Sequence, residues 1–137
     1  MKSLYVCIED YQGQGEHILV VDDEKTQREI ISVLLTKLGY SVKTVSNGEA
    51  AVEYLKKNSV DLMVLDMIME PGMNGCETYK QAIQINPAQK AVIASGYTST
   101  DDVENAQKLG AGQYIKKPYT LEKIGLAVRD ELRKKGL

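Results

Sequence analysis

Four stretches of the sequence carry the side chains best suited to chemistry, and each comes at or just after the end of a short apolar run. The first is the pair Asp22-Asp23, the second is Asp66, the third is Ser95 and the fourth is the lysine pair Lys116-Lys117. Carboxylates gathered at one place repel one another, by about 4 kcal/mol for each pair at ~4 Å and an effective dielectric constant of about 20. A site that brought these acids together would therefore need a cation.

Magnesium is the cation that this set of residues favours. Mg²⁺ takes oxygen ligands and binds through a few carboxylates while it keeps water and phosphate oxygens in its shell. One of the two lysines would add positive charge, and a serine hydroxyl can donate a hydrogen bond to a phosphoryl oxygen. The residues indicate phosphate chemistry, although the pair Asp22-Asp23 alone could equally cap a helix.

The spacing of apolar residues predicts the elements that would position these groups. Five short, mostly β-branched runs alternate with five amphipathic segments, which is typical of alternating strands and helices. The predicted strands are residues 18–21, 41–45, 62–65, 91–94 and 113–115. Strict alternation implies right-handed crossovers and a parallel sheet covered on both faces. The polar residues would then meet at the carboxyl edge of the sheet, where such folds bind ligands.

Capping and stop signals predict where several helices begin and end. Ser46 and Glu49 form a capping-box pattern for the second helix. The third helix is expected at about 75–85, because a proline follows soon after and disfavours helical geometry in the residue before it. The last helix is expected to begin at Thr120.

Composition excludes several classes of protein. The 17 basic and 19 acidic residues give a net charge of -2, so no overall positive field attracts nucleic acid or an anionic membrane. The apolar runs are far shorter than the ~20 residues that span a bilayer, and no secretion signal is evident. We therefore expect no direct nucleic-acid binding, no membrane span in this chain, a cytoplasmic location and free thiols at Cys7 and Cys76.

Taken together, the motifs resemble the receiver domain of response regulators in two-component signalling, over residues 16–134. The resemblance rests on ILVVDDE at 18–24, LDM at 65–67, PGMNG at 71–75, ASGY at 94–97 and YIKKPY at 114–119. It implies a flavodoxin-like α/β fold, a doubly wound (βα)5 parallel sheet with strand order 2-1-3-4-5. We expect a single receiver domain at 17–137, preceded by an N-terminal extension at 1–16 that ends in a flexible linker.

The resemblance also implies a role for each acid. Asp66 is the phosphoacceptor, and Asp22 and Asp23 bind Mg²⁺ together with it. The backbone carbonyl of Ile68 completes the protein ligands of the metal. In the loop that follows Asp66 the chain departs from the family pattern, because Glu70 is a one-residue insertion and Asn74 replaces an aspartate.

The remaining implied roles concern phosphoryl contacts, switching and hydrolysis. Ser95 contacts the phosphoryl group, and Lys117 rather than its neighbour Lys116 neutralises it, with a cis peptide bond before Pro118. Tyr114 reports phosphorylation to the face formed by the fourth helix, fifth strand and fifth helix. The residues expected to flank the approach of water and to slow hydrolysis are Ile68 and Tyr97.

The resemblance implies partners as well as residues. A histidine kinase or a phosphotransfer protein would donate the phosphoryl group, and a downstream protein would bind the switching face. The chain would catalyse its own phosphotransfer and dephosphorylation, without a separate turnover activity. The chain could also form a homodimer when it is phosphorylated. Whether it is a stand-alone regulator or a piece of a hybrid kinase is left open by the sequence.

Two other functions compete with the phosphoacceptor. A phosphohydrolase of the haloacid-dehalogenase type also uses an aspartate nucleophile with Mg²⁺, but it needs a second acid two residues later, where this chain has Ile68. A receiver-like interaction module that is never phosphorylated would be expected to lack part of the acidic set. The complete set of acids favours the phosphoacceptor.

Overall fold

The computed structural model describes residues 12–69, 71–96 and 101–134, so Glu70, Tyr97 and Cys7 lie outside the described residues. Five strands alternate with five helices: β1 (His17–Val21), α1 (Lys25–Lys37), β2 (Ser41–Val45), α2 (Gly48–Lys57), β3 (Leu62–Asp66), α3 (Gly75–Ile85), β4 (Ala91–Ser95), α4 (Asp101–Lys108), β5 (Tyr114–Lys116) and α5 (Leu121–Arg133). The strands are parallel and lie in the order β2-β1-β3-β4-β5. The predicted flavodoxin-like fold and strand order are confirmed.

The sheet is buried on both faces because helices cover each of them. Successive residues of β1 point to opposite sides, with Leu19 and Val21 packed towards α2, α3 and α4. Ile18 and Val20 pack towards α1 and α5 on the other side. Strands buried in this way read as continuous apolar runs, which is why β3 and β4 were recognisable in the sequence. Among the described residues no helix is long and apolar enough to cross a membrane.

The start of α2 differs from the prediction. Its N-cap is Asn47, whose side chain accepts a hydrogen bond from the amide of Ala50 at 2.7 Å, so the predicted capping box of Ser46 and Glu49 is wrong. Asparagine caps helices as well as serine does, and Asn47 directly precedes the first helical residue. A capping box does occur at α3, between Asn74 and Glu77.

Residues 12–16, expected to be a flexible linker, are docked on the turn between α1 and β2. We call this segment the N-terminal strap. Its backbone hydrogen bonds run from Gly13 N–H to Leu38 O at 2.6 Å, from Gly15 N–H to Gly39 O at 2.8 Å and from Ser41 N–H to Glu16 O at 2.9 Å. The strap satisfies carbonyl groups that the end of a helix leaves without partners.

Glycine is required in the strap by close packing. A Cβ atom at Gly13 would lie 2.3 Å from Cε1 of Tyr40, so the backbone of the strap rests directly on the tyrosine ring. Composition alone made this segment look like a linker, because the same glycines that favour flexibility also permit this close approach. The strap is therefore a packed part of the described structure.

Candidate functional site

Parallel pairing brings two of the predicted acids side by side. Val21 of β1 is in register with Leu65 of β3, so Asp22 and Asp66 leave the sheet next to each other. Both are buried, whereas Asp23 is exposed. One carboxylate oxygen from each of the three acids lies within 4.8 Å of the others. An oxygen-only donor set of this size fits a hard divalent cation such as Mg²⁺.

Lys117 is the cation that the chain itself supplies. Its Nζ atom lies 2.7 Å from Oδ2 of Asp22 and 3.6 Å from Oδ1 of Asp66, and its side chain is 11% exposed. Burial lowers the pKa of Lys117, but the hydrogen bond to Asp22 and the charge of Asp66 more than offset this, so the pKa is raised overall. The peptide bond to Pro118 is cis, as the resemblance implies, and the neighbouring Lys116 is exposed.

The carboxyl group of Asp66 is poised between its two protonation states. Burial raises its pKa from 3.8 to about 7, with the charge of Lys117 acting in the opposite direction and that of Asp22 adding to the rise. A divalent cation beside the carboxylate would favour its charged form. The charged form is the one that can act as a nucleophile.

Ser95 and Ile68 complete an open cavity of about 470 Å³ above the acids. Ser95 ends β4 next to Asp66 and is 2% exposed. Ile68 follows two residues after Asp66, and the residue is 43% exposed beside the cavity. Tyr97, the other residue expected to affect hydrolysis, lies outside the described residues. The cavity places a serine, a lysine and an acid around one space.

Tyr114, the predicted switch residue, lies on β5 away from the cavity lining. It is half-buried and packs against the cluster of apolar residues that α2, α3 and α4 share with the sheet. The amide of Lys117 donates a hydrogen bond to the carbonyl of Ser95 at 2.7 Å. The ends of β4 and β5 are therefore joined by a backbone hydrogen bond, and Tyr114 is the first residue of β5.

Arg28 contributes to the site and was missed by the sequence analysis. Its Nη1 donates a hydrogen bond to the backbone carbonyl of Asp22 at 2.8 Å. The side chain of Asp22 also accepts from the amide of Glu24 at 2.9 Å, so the residue is held from three sides when Lys117 is included.

Tyr119 is a second residue that the sequence analysis left out. Burial raises the pKa of its hydroxyl, and the charges of Asp22, Asp66 and Glu24 raise it further. The phenol therefore stays protonated and remains a hydrogen-bond donor beside the acids. Its position two residues after Lys117 could have suggested this proximity.

Comparison with known proteins gives consistent results. A family described as the response regulator receiver domain matches residues 18–129. The chain is 32% identical over 118 residues to sporulation initiation phosphotransferase F of Bacillus subtilis, covering 86% of this chain and 94% of that protein. It is 35% identical over 120 residues to the transcriptional regulatory protein ZraR of Klebsiella oxytoca, covering 88% of this chain.

Several of these relatives are much longer than the matched region. The chain spans 27% of the length of ZraR, and 51% and 53% of two other regulators. Among solved structures, the response regulator TrrA of Thermotoga maritima in complex with Mg²⁺-BeF is similar with a TM-score of 0.76 and 28% identity, covering 84% of this chain and 97% of that one.

The family match, the strand order and the acids at the carboxyl edge all indicate the same family. The matched residues 18–129 include all five strands, except for His17 at the start of β1, and the whole carboxyl edge of the sheet. The chain therefore belongs to the response regulator receiver domain family of two-component signalling systems.

Proposed function

We propose that the protein is a phosphoacceptor in a phosphorelay, with Asp66 as the residue that is phosphorylated. Receiver domains take phosphoryl groups from histidine kinases and phosphotransfer proteins, and one of these would be the donor here. The observation that carries the proposal is the cluster of Asp22, Asp23 and Asp66, with carboxylate oxygens within 4.8 Å of one another and Lys117 between two of them. Clustered acids cost stability, so their presence at a ligand-binding edge favours a functional role.

The metal of this proposal would be Mg²⁺. Asp22, Asp23, Asp66 and the backbone carbonyl of Ile68 would hold it. When bound, Mg²⁺ would neutralise the negative charge that spreads over the transferring phosphoryl oxygens. Support for the assignment comes from the oxygen-only donor set and from the open cavity beside it.

Phosphotransfer would use the residues as follows. An oxygen of the Asp66 carboxylate attacks the phosphorus, the bond between phosphorus and the donor's histidine nitrogen breaks, and an aspartyl phosphate forms. Lys117, whose Nζ lies 3.6 Å from Oδ1 of Asp66, would turn from Asp22 towards the phosphoryl oxygens. The hydroxyl of Ser95, at the end of the neighbouring strand, would donate to the same group.

Hydrolysis would return the site to its starting state. Water attacks the phosphorus, the bond to the Asp66 oxygen breaks, and inorganic phosphate and the carboxylate are released. We propose that Ile68 and Tyr97 slow this step by restricting the approach of water. The exposed side chain of Ile68 beside the cavity supports its half of this proposal.

The output would be a change on the face formed by α4, β5 and α5. New contacts from the phosphoryl group to Ser95 and Lys117 would act on two strand ends that are already joined by a hydrogen bond of 2.7 Å. Tyr114 would then change its packing, and a downstream protein would bind this face. A phosphorylation-dependent homodimer is the alternative use of the same face.

We propose that the receiver unit expected at residues 17–137 also includes the N-terminal strap, so that the extension is shorter than the expected 1–16. The docking of the strap supports adding residues 12–16 to the folded unit. The N-terminal extension would then comprise residues 1–11.

The experiment that tests the phosphoacceptor is labelling with a small-molecule acyl phosphate, with and without Mg²⁺. Wild-type protein should be labelled only with Mg²⁺, and Asp66→Asn should not be labelled because the nucleophile is lost. Asp61→Asn, which changes an acid at the opposite edge of the sheet, is the matched control and should be labelled normally. Label on Asp66→Asn, or without metal, would contradict the mechanism, and an unlabelled wild type would favour the unphosphorylated interaction module.

A further inference from the structure

A carboxylate on α2 fastens the loop that follows the phosphoacceptor strand. The amide of Met73 donates a hydrogen bond to Oε2 of Glu49 at 3.2 Å. Gly72 has a φ of +106°, and a Cβ atom there would lie 2.8 Å from the same oxygen. The carboxylate of Glu49 thus occupies a notch that is open because residue 72 is glycine.

The two halves of this loop are held differently. In the first half, Met67 and Met69 are buried, and the carbonyl of Met67 accepts a hydrogen bond from the amide of Gly75 at 3.1 Å. In the second half, Pro71 and Gly72 are exposed. Burial therefore anchors the part next to the sheet, and the contact with Glu49 anchors the part that faces solvent.

The helix that carries Glu49 is itself fixed at this end. Gly48 packs so closely on α3 that a Cβ atom would lie 2.1 Å from Oγ1 of Thr78, and 3.2 Å from the Cβ of Met73. The hydrogen bond from Ala50 to the side chain of Asn47 caps the same turn. Glu49 is therefore presented to the loop from a rigid support.

We propose that Glu49 is a positioning residue for the metal site. By holding Gly72 and Met73, it restricts the loop that carries the Ile68 carbonyl, so that this carbonyl is already oriented when Mg²⁺ binds. This inference rests on the proposed function, since it assigns Glu49 to the same site.

The test compares Glu49→Ala, Glu49→Gln and the control Glu53→Ala. Glu53 lies one turn later on α2, is exposed and pairs with Lys56, so its loss removes the same charge without touching the loop. Glu49→Gln removes the charge but keeps an oxygen that can accept from Met73. Mg²⁺ binding is measured by titration calorimetry, and exchange of the Met73 amide is measured by NMR on the metal-free protein.

We expect Glu49→Ala to weaken Mg²⁺ binding by roughly fivefold, the effect of losing one hydrogen bond, and to speed exchange of the Met73 amide. Glu49→Gln should restore most of both properties, and Glu53→Ala should match wild type. Unchanged binding and exchange in Glu49→Ala would overturn the inference, as would a Glu49→Gln variant as weak as Glu49→Ala. If wild type itself bound no Mg²⁺, the proposed function would fail, while the Met73 exchange would still decide whether Glu49 holds the loop.

Discussion

The two edges of the sheet treat charged groups in opposite ways. At the amino edge, the charged groups of Asp61 and Lys90 are each bound to neutral backbone groups. Asp61 accepts a hydrogen bond from the amide of His17 at 2.7 Å. There, too, Lys90 donates to the carbonyls of Leu132 and Lys134 at 2.7 and 2.6 Å. At the carboxyl edge, three acids lie close together, and one lysine pairs with two of them.

The difference shows which edge serves stability and which serves ligand binding. Charge-assisted hydrogen bonds to backbone groups stabilise a fold, because donor and acceptor are both satisfied. A buried carboxylate with a like charge beside it destabilises the fold until a ligand arrives. Burial first, and then the charge of Asp22, raise the pKa of Asp66 to about 7, and this shift is the sign of that cost. Substitutions at the carboxyl edge should therefore change chemistry and pH dependence, and those at the amino edge should change stability alone.

The largest effect is expected from Lys117→Met. Removing the ammonium group should slow phosphotransfer by roughly 10²- to 10³-fold, the usual loss when one electrostatic contact to a transition state is removed. Mg²⁺ should bind more tightly, because Oδ2 of Asp22 is no longer engaged by Lys117. Labelling rates and calorimetric titration measure the two effects. Lys116→Met, at the exposed neighbour, is the control, and equal rates in the two variants would remove the proposed role of Lys117.

The next effect is the pH dependence of stability in the metal-free protein. Burial raises the pKa of Asp66 from 3.8 to about 7, so the folded protein binds this proton more tightly than the unfolded chain. The free energy of unfolding should therefore fall as the pH rises from about 4 to about 7, by up to about 4 kcal/mol from this group. Below about pH 4 the Asp66 carboxyl group does not destabilise the folded protein, and above about pH 7 its destabilising effect is largest.

Urea denaturation with a chelator present measures this dependence. The side chain in Asp66→Asn is neutral at every pH, so the free energy of unfolding of this variant should lack this part of the decrease. The variant should therefore be most stable relative to wild type at pH 8. Parallel stability curves for the two proteins between pH 4 and 8 would show that the acids at the carboxyl edge carry no such cost.

The smallest effect is expected at the amino edge, from Lys90→Met. The variant loses two hydrogen bonds to carbonyls at the end of α5, which should lower the free energy of unfolding by about 1–2 kcal/mol. Lys56→Met, which removes only an exposed pair with Glu53, should cost less than about 0.5 kcal/mol. Both variants should be phosphorylated at the wild-type rate, and a slowed Lys90→Met would mean that the two edges are not independent.

Local sequence signals were sufficient for the sheet and for the acids. Buried parallel strands leave continuous apolar runs, and the residue that ends such a run lies at the carboxyl edge, so Asp22, Asp66 and Ser95 could be placed before the structure was known. Between Ser46 and Asn47, both good caps, the sequence could not decide, because the difference depends on where the helix begins.

Contacts between distant residues left no local signal. Glu49 meets Met73 across 24 positions of sequence, and nothing in the residues around Glu49 distinguishes this role from that of a capping residue. Arg28 was not singled out in the sequence, since its hydrogen bond to the carbonyl of Asp22 depends on the turn between them. Residues of this kind are defined by the fold and appear only when it is known.

The N-terminal strap has a consequence for where this domain can be cut and joined. A fragment that began at His17 would leave the carbonyls of Leu38 and Gly39 without the amides of Gly13 and Gly15, and would uncover the ring of Tyr40. Tyr40 is 5% exposed with the strap in place. The smallest fragment that preserves these contacts begins at Gln12, so a graft of this receiver onto another protein should place its joint before that residue.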